Sequence, residues 1–135
     1  MLIRKYMPHD KESLISLWEE VFPNPAAHNQ PARIIEDKLK VDGLIFVAEN
    51  GGKILGACQV GYDGHRGWLY GVAVSPELRR RGIGTELVNT AIRELRELGC
   101  GKVNLQIRAG NTAVSDFYQT LGFEVEERLS MGRHL

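Results

Sequence analysis

The sequence predicts an α/β (α+β) fold in a single domain covering residues 1–135. Three observations carry that expectation. The runs Leu44 to Glu49, Lys53 to Tyr62 and Trp68 to Val74 are apolar and rich in strand-forming residues, and Asn50-Gly51-Gly52 and Asp63-Gly64 between them are hairpin signals. Apolar residues at 83, 87, 88, 91, 92, 95 and 98 keep helical spacing. A chain of 135 residues is long enough to bury one core.

Leu2 to Tyr6 is a short strand candidate that Pro8 ends, and Asp10 can cap the helix that follows. Leu14, Ile15, Leu17, Trp18, Val21 and Phe22 mark one face of that helix. Trp18 and Phe22 read as core, with an acceptor-pocket lining as the alternative. Pro23-Asn24-Pro25 stops the helix, and a second is expected from about Ala32 to Lys40. His28, Asn29 and Gln30 between them read as a solvated loop, with substrate contact as the alternative.

The turn Tyr62 to Gly67 is richer in chemistry than a hairpin requires. His65 adds a titratable group and Arg66 a fixed cation beside Asp63-Gly64. Gly71 sits in the middle of the strand Trp68 to Val74, where a glycine signals a bulge or a backbone that a ligand approaches closely. Ser75-Pro76 ends that strand, and Arg79-Arg80-Arg81-Gly82-Ile83-Gly84 opens the long helix. Free N–H groups and the helix dipole favour anions at such a terminus, and glycine lets the backbone approach them. The pattern reads as a pyrophosphate cradle, against a merely basic turn before a surface helix. No Walker-type motif is present, and the third glycine of a dinucleotide fingerprint is missing. Gly99-Cys100-Gly101 then closes the helix. Lys102 to Arg108 alternates as a fifth strand, Asn111 can cap a last helix, and Phe117, Leu121 and Phe123 read as core. A closing strand pair is expected over Glu124 to Gly132.

Strand, proline exit, Arg-x-x-Gly-x-Gly turn and amphipathic helix together resemble the central motif of the GNAT (GCN5-related) N-acetyltransferases. Asn111 through Tyr118 to Gly122-Phe123 is similar to that family's Asn-x6-Tyr-x3-Gly-Phe element. The Asp63 hairpin also resembles that of a small bacterial GNAT subgroup of the YpeA type. The resemblance implies a mixed, mostly antiparallel sheet of six to seven strands with helices on both faces, splayed between strands 4 and 5. It implies acetyl-CoA as co-substrate, with its pyrophosphate on Arg79, Arg80, Arg81, Gly82, Ile83, Gly84 and Thr85. Pantetheine would pair with the main chain of Val72, Ala73 and Val74, the Val72 N–H facing the thioester oxygen, and the Asn111 amide would also bond this arm. Tyr118 falls where the family's general acid falls, since a phenol can protonate the departing thiolate. Packing inside its helix is the bland alternative.

The base that takes the proton of an ammonium substrate is less legible. The strand Trp68 to Val74 holds no carboxylate, and Gln106 stands where the ribosomal-protein N-terminal-alanine branch of the family has a glutamate. Asp63, His65, Glu49 or a water chain are the candidates. The expected reaction is acetyl transfer to a primary amine, small-molecule or peptide, by direct attack in a ternary complex. A non-catalytic CoA-binding module of the same fold is the rival, and a nucleotide-phosphate binder a third reading. Balanced charge, 17 basic against 17 acidic residues, argues against nucleic acid and membrane surfaces as partners. No signal-peptide core or membrane-length apolar run is present, so a cytoplasmic monomer or homodimer is expected. Cys58 and Cys100 show no metal spacing, and no metal is expected.

Overall fold

A computed structural model describes residues 1–135. Five strands follow one another across a single sheet: β1 (Leu2–Lys5), β2 (Ile45–Asn50), β3 (Lys53–Tyr62), β4 (Gly67–Val74) and β5 (Val103–Asn104). The first four pair antiparallel and β5 lies parallel to β4. The helices are α1 (Lys11–Val21), α2 (Pro31–Val41), α3 (Ile83–Glu97) and α4 (Thr112–Thr120). Two compact units result, Met1–Leu105 and Gln106–Leu135.

In the first unit the sheet is covered on both faces, because β2 buries four consecutive residues, Ile45 to Ala48. Successive side chains on a strand point to opposite faces, so a run buried on both sides reads as continuous rather than alternating. Ile45 and Val47 pack with Leu14, Leu17 and Trp18 of α1 and Ile35 of α2. The other face meets α3, whose Ile83, Leu87, Val88, Ala91 and Leu95 are buried. Pro31 sits in the first turn of α2, where its missing N–H has no helical partner to lose. Gly99, at φ +90°, closes α3: the N–H of Cys100 bonds back to the Leu95 carbonyl at 2.9 Å.

Two expectations are corrected. The sheet has five strands rather than six or seven, since residues 124–132 supply none, and β5 itself ends at Asn104 instead of continuing to Arg108. Pairing between β4 and β5 covers only Gly67↔Val103 and Trp68↔Asn104, so the strands part company after two residues. In the second unit Glu124 to Gly132 forms no strand pair: Val125, Leu129 and Met131 stand exposed, without the burial that fixes strand register. There, too, Phe117, Leu121 and Phe123 are only half-buried, and Tyr118 is the buried side chain.

Asp10 also differs from its expected role. Its carboxylate caps no amide of α1. It takes a two-pronged bond from Arg4 at 2.7 and 2.9 Å and the Met7 N–H at 2.8 Å. The Arg4 guanidinium, helped by the Met7 amide, holds the Asp10 carboxyl below the usual carboxylate range against the opposing effect of burial. Arg4→Ala leaves this buried charge without its partner and is expected to cost about 2–4 kcal/mol. A carboxylate with a depressed folded pKa stabilises above its unfolded value and loses that contribution as pH falls through the folded value. Urea melts of both proteins should therefore differ most near neutrality and converge in acid; a gap that persists at pH 2 would show that the ion pair is not its source.

Candidate functional site

β4 carries one residue more than β3 can pair. Ala57 faces Ala73 and Gln59 faces Tyr70, so two steps along β3 match three along β4. The extra residue lies at Gly71–Val72, where the sequence places its mid-strand glycine. Gly71 has φ +56°, a left-handed conformation that costs a glycine nothing. Its surroundings require glycine as well: a Cβ there would meet the Trp18 indole at 3.2–3.3 Å. Trp18, 3% exposed, donates its indole N–H to the Gly71 carbonyl at 2.8 Å. The helix face thus anchors the bulge by a hydrogen bond that amphipathic spacing alone could not show.

Beyond the bulge, Ala73 is buried against α1, and Val72 and Val74 are half-buried. From Leu69 to Val74 the β5 side of β4 has no strand partner, because the parallel pairing ends at Trp68. Asn104, at the last paired position, has a buried side-chain oxygen without a hydrogen-bond partner. Sequence reading did not single it out; a polar residue between Val103 and Leu105 is the faint signal it left.

The chain leaves β4 through Ser75, whose N–H bonds the Leu55 carbonyl at 2.8 Å, and a 3-10 turn over Pro76–Leu78. Arg79, Arg80, Arg81 and Gly82 are all exposed. None of the three guanidiniums forms an ion pair within the chain. Arg80 at φ +65° and Gly82 at φ +81° turn the backbone into α3. A non-glycine residue in that region costs about 1 kcal/mol or more, so the turn holds strain beside an open helix end. The first α3 amide satisfied by the backbone is that of Glu86, which bonds Gly82 at 3.0 Å. Those of Ile83, Gly84 and Thr85 precede it, and no side chain caps them. Three free donors, a positive dipole end and three unpaired cations together give this terminus a local potential that favours anions.

The hairpin before β4 is ordered by Asp63, whose Oδ1 accepts the N–H groups of His65 at 2.8 Å and Arg66 at 2.7 Å. These backbone bonds, Arg66 first, hold its carboxyl below the usual range. His65 is exposed, with Nδ1 3.4 Å from the Arg66 guanidinium. Trp68 and Tyr70 stack along the same strand, ring centroids 6.4 Å apart. Glu49, on β2, faces Arg4 at 3.5 Å. Asn111 and Tyr118 belong to the second unit. Asn111 caps α4 by accepting the Val114 N–H at 3.3 Å. Tyr118 packs edge-on between Phe117 and Phe123, with centroids 5.0 and 5.5 Å away.

Comparison with known proteins places these features in context. The family described as Acetyltransferase (GNAT) matches residues 11–123. An acetyltransferase of Pectobacterium atrosepticum is 39% identical over 137 residues, covering 100% of this chain and 96% of that protein. Among solved structures, the aminoglycoside N-acetyltransferase AAC(6′)-Iy in complex with CoA superposes with a TM-score of 0.83 at 25% identity, covering 98% of this chain and 93% of that one. A protein from Bacillus halodurans described as a transcriptional regulator gives 0.80 at 25% identity, covering 99% of each chain.

An acyl group could in principle pass through a cysteine. Both cysteines are free and buried, and burial pushes the Cys58 thiol up to about 12. A thiol that stays protonated at neutral pH is a poor nucleophile. In a Cys100→Ser protein, Cys58 should resist a disulfide reagent at pH 8 and react fully only after unfolding in guanidinium. Rapid reaction of the folded protein would show that Cys58 is neither sealed nor inert.

Proposed function

Since the chain belongs to the acetyltransferase (GNAT) family and is an acetyl-CoA-dependent N-acetyltransferase, we propose that it acetylates a primary amine by direct attack in a ternary complex. The observation that carries the binding half of this reading is the uncapped terminus of α3 with its unpaired arginines. The pyrophosphate of CoA would lie on the amides of residues 82–85 under Arg79, Arg80 and Arg81. Pantetheine would run along the unpaired edge of β4 at Val72, Ala73 and Val74. The Val72 N–H would take the thioester oxygen as charge develops on it, an interaction of the kind whose loss costs about 3 kcal/mol in other enzymes.

Tyr118 is assigned the proton that the departing thiolate needs, since a phenol is protonated at neutral pH. For the opposite transfer, the amine must lose a proton. Asp63 is held in its charged form by two amides, which weakens it as a base, and Glu49 faces the Arg4 cation. We assign this step to His65, or to water leading to bulk solvent. The acceptor is a small-molecule or peptide amine, and turnover against an amine panel separates this reading from a CoA-binding module without activity.

The cradle predicts that backbone conformation matters more than any single arginine. Gly82→Val forces a β-branched residue to φ +81° and should reduce CoA affinity at least tenfold by calorimetry, with the protein still folded. Arg79→Ala should weaken binding by about tenfold through one lost charge-assisted contact. Equal affinity in wild type and Gly82→Val would refute the cradle. Tyr118→Phe should leave acetyl-CoA affinity nearly unchanged and lower turnover by about 10²–10⁴, the range for general-acid catalysis. An unaltered rate in that variant would reduce Tyr118 to a packed helix residue.

A further inference from the structure

We propose that Trp18 is a positioning residue for acyl transfer, acting through the peptide unit that joins Gly71 to Val72. Every peptide bond in the chain is trans, so the carbonyl of Gly71 and the N–H of Val72 belong to one planar unit and point in opposite directions. The indole N–H of Trp18 grips that carbonyl at 2.8 Å. Fixing the oxygen toward α1 therefore aims the Val72 N–H away from α1. The bulge makes this control necessary. A regular ladder would orient the peptide through its neighbours, but here β3 and β4 lose register between the Ala57 and Gln59 pairs.

Three further features bear on the same peptide. Gly71 is at φ +56°, so its conformation is set by its surroundings rather than by a side chain of its own. The indole lies where a Gly71 Cβ would meet it at 3.2–3.3 Å, which limits movement of the peptide toward α1. Trp18 itself is 3% exposed and belongs to the buried cluster with Leu14, Leu17, Ile35 and Ala73, so it is not free to follow the strand. A hydrogen bond to a carbonyl also polarises the amide and makes its N–H a better donor, an effect of about 10–30% per bond. Trp18 thus both orients and strengthens the donor that meets the developing oxyanion.

The inference rests on the proposed placement of the thioester at Val72, and the test separates the two. In the wild-type protein, addition of CoA is followed through backbone amide signals of Val72 to Val74 and Ile83 to Thr85. Trp18→Phe and replacement of Trp18 by β-(3-benzothienyl)alanine, an indole isostere with sulfur in place of N–H, are then compared with wild type. The isostere keeps the shape, so it serves where the phenylalanine variant fails to fold. The expected result is CoA affinity within twofold of wild type, an unchanged KM for acetyl-CoA, and kcat reduced about 10- to 100-fold in the isostere, with the Val72 amide signal displaced. Unchanged kcat in the isostere, with CoA bound as in wild type, overturns the role of Trp18 alone. A loss of CoA affinity matching the loss of kcat also overturns it, because a merely structural residue would act that way. If wild-type CoA binding leaves Val72 to Val74 undisturbed, the acyl-site placement fails and the inference falls with it.

Discussion

The extra residue in β4 is the constraint on which the rest of the first unit depends. A one-residue insertion reverses which face each later side chain meets. Before it, Leu69 is buried opposite Val60; after it, Ala73 is buried opposite Ala57 in the cluster that includes Trp18. The two residues are four apart, which in a regular strand would place them on one face. Because the bulge changes parity, one strand serves both helical layers. The same irregularity accompanies the loss of β5, which pairs with β4 at Gly67 and Trp68 and no further. An edge carrying free backbone groups in an otherwise covered sheet is a place for an extended ligand to pair.

The turn into α3 rests on a different balance. Arg80 in a left-handed conformation and an uncapped helix terminus are both unfavourable locally. They persist because the other side of α3 is buried through Ile83, Leu87, Val88, Ala91 and Leu95. Each of the branched side chains among them contributes about 1.5–3 kcal/mol relative to exposure, which outweighs the strain of one turn. The helix is thus docked by its apolar face while its amides and the neighbouring guanidiniums stay available. The adjacent Ser75–Leu55 backbone bond holds the entry to the turn against the sheet.

How much of this was legible depends on whether the signal is local. Gly71 announced the bulge, Asn50-Gly51-Gly52 the first hairpin, and the spacing from Ile83 to Leu98 the long helix, because each is set by neighbouring residues. The helix α2 begins at Pro31, one residue before its expected start. The extent of β5 was misread, since alternation over Lys102 to Arg108 describes a strand's faces and not whether a partner lies beside it. The closing pair at Glu124 to Gly132 failed for the same reason. Asp10 looked like a cap because its position was right, but the guanidinium of Arg4 on β1, six residues back, competes better for a carboxylate than a backbone amide does. Trp18 was readable as core, and its bond to Gly71, 53 residues on, was not.

The unevenness has a chemical origin. The donors proposed to hold the thioester and the pyrophosphate are main-chain N–H groups, which every residue but proline possesses. Side-chain chemistry therefore marks such a site poorly, and the residues that do mark it are those that shape the backbone: Gly71, Pro76, Gly82 and the tryptophan that holds one carbonyl. The titratable groups near it point the same way. Asp63 gives its Oδ1 to two amides of its own turn, and Cys58 is sealed in the core. Oriented peptides stabilise developing negative charge but take up no proton, and β4 holds no carboxylate that could. What selection must keep here is the geometry of two adjoining segments, the bulge and the turn, and the packing that fixes each one.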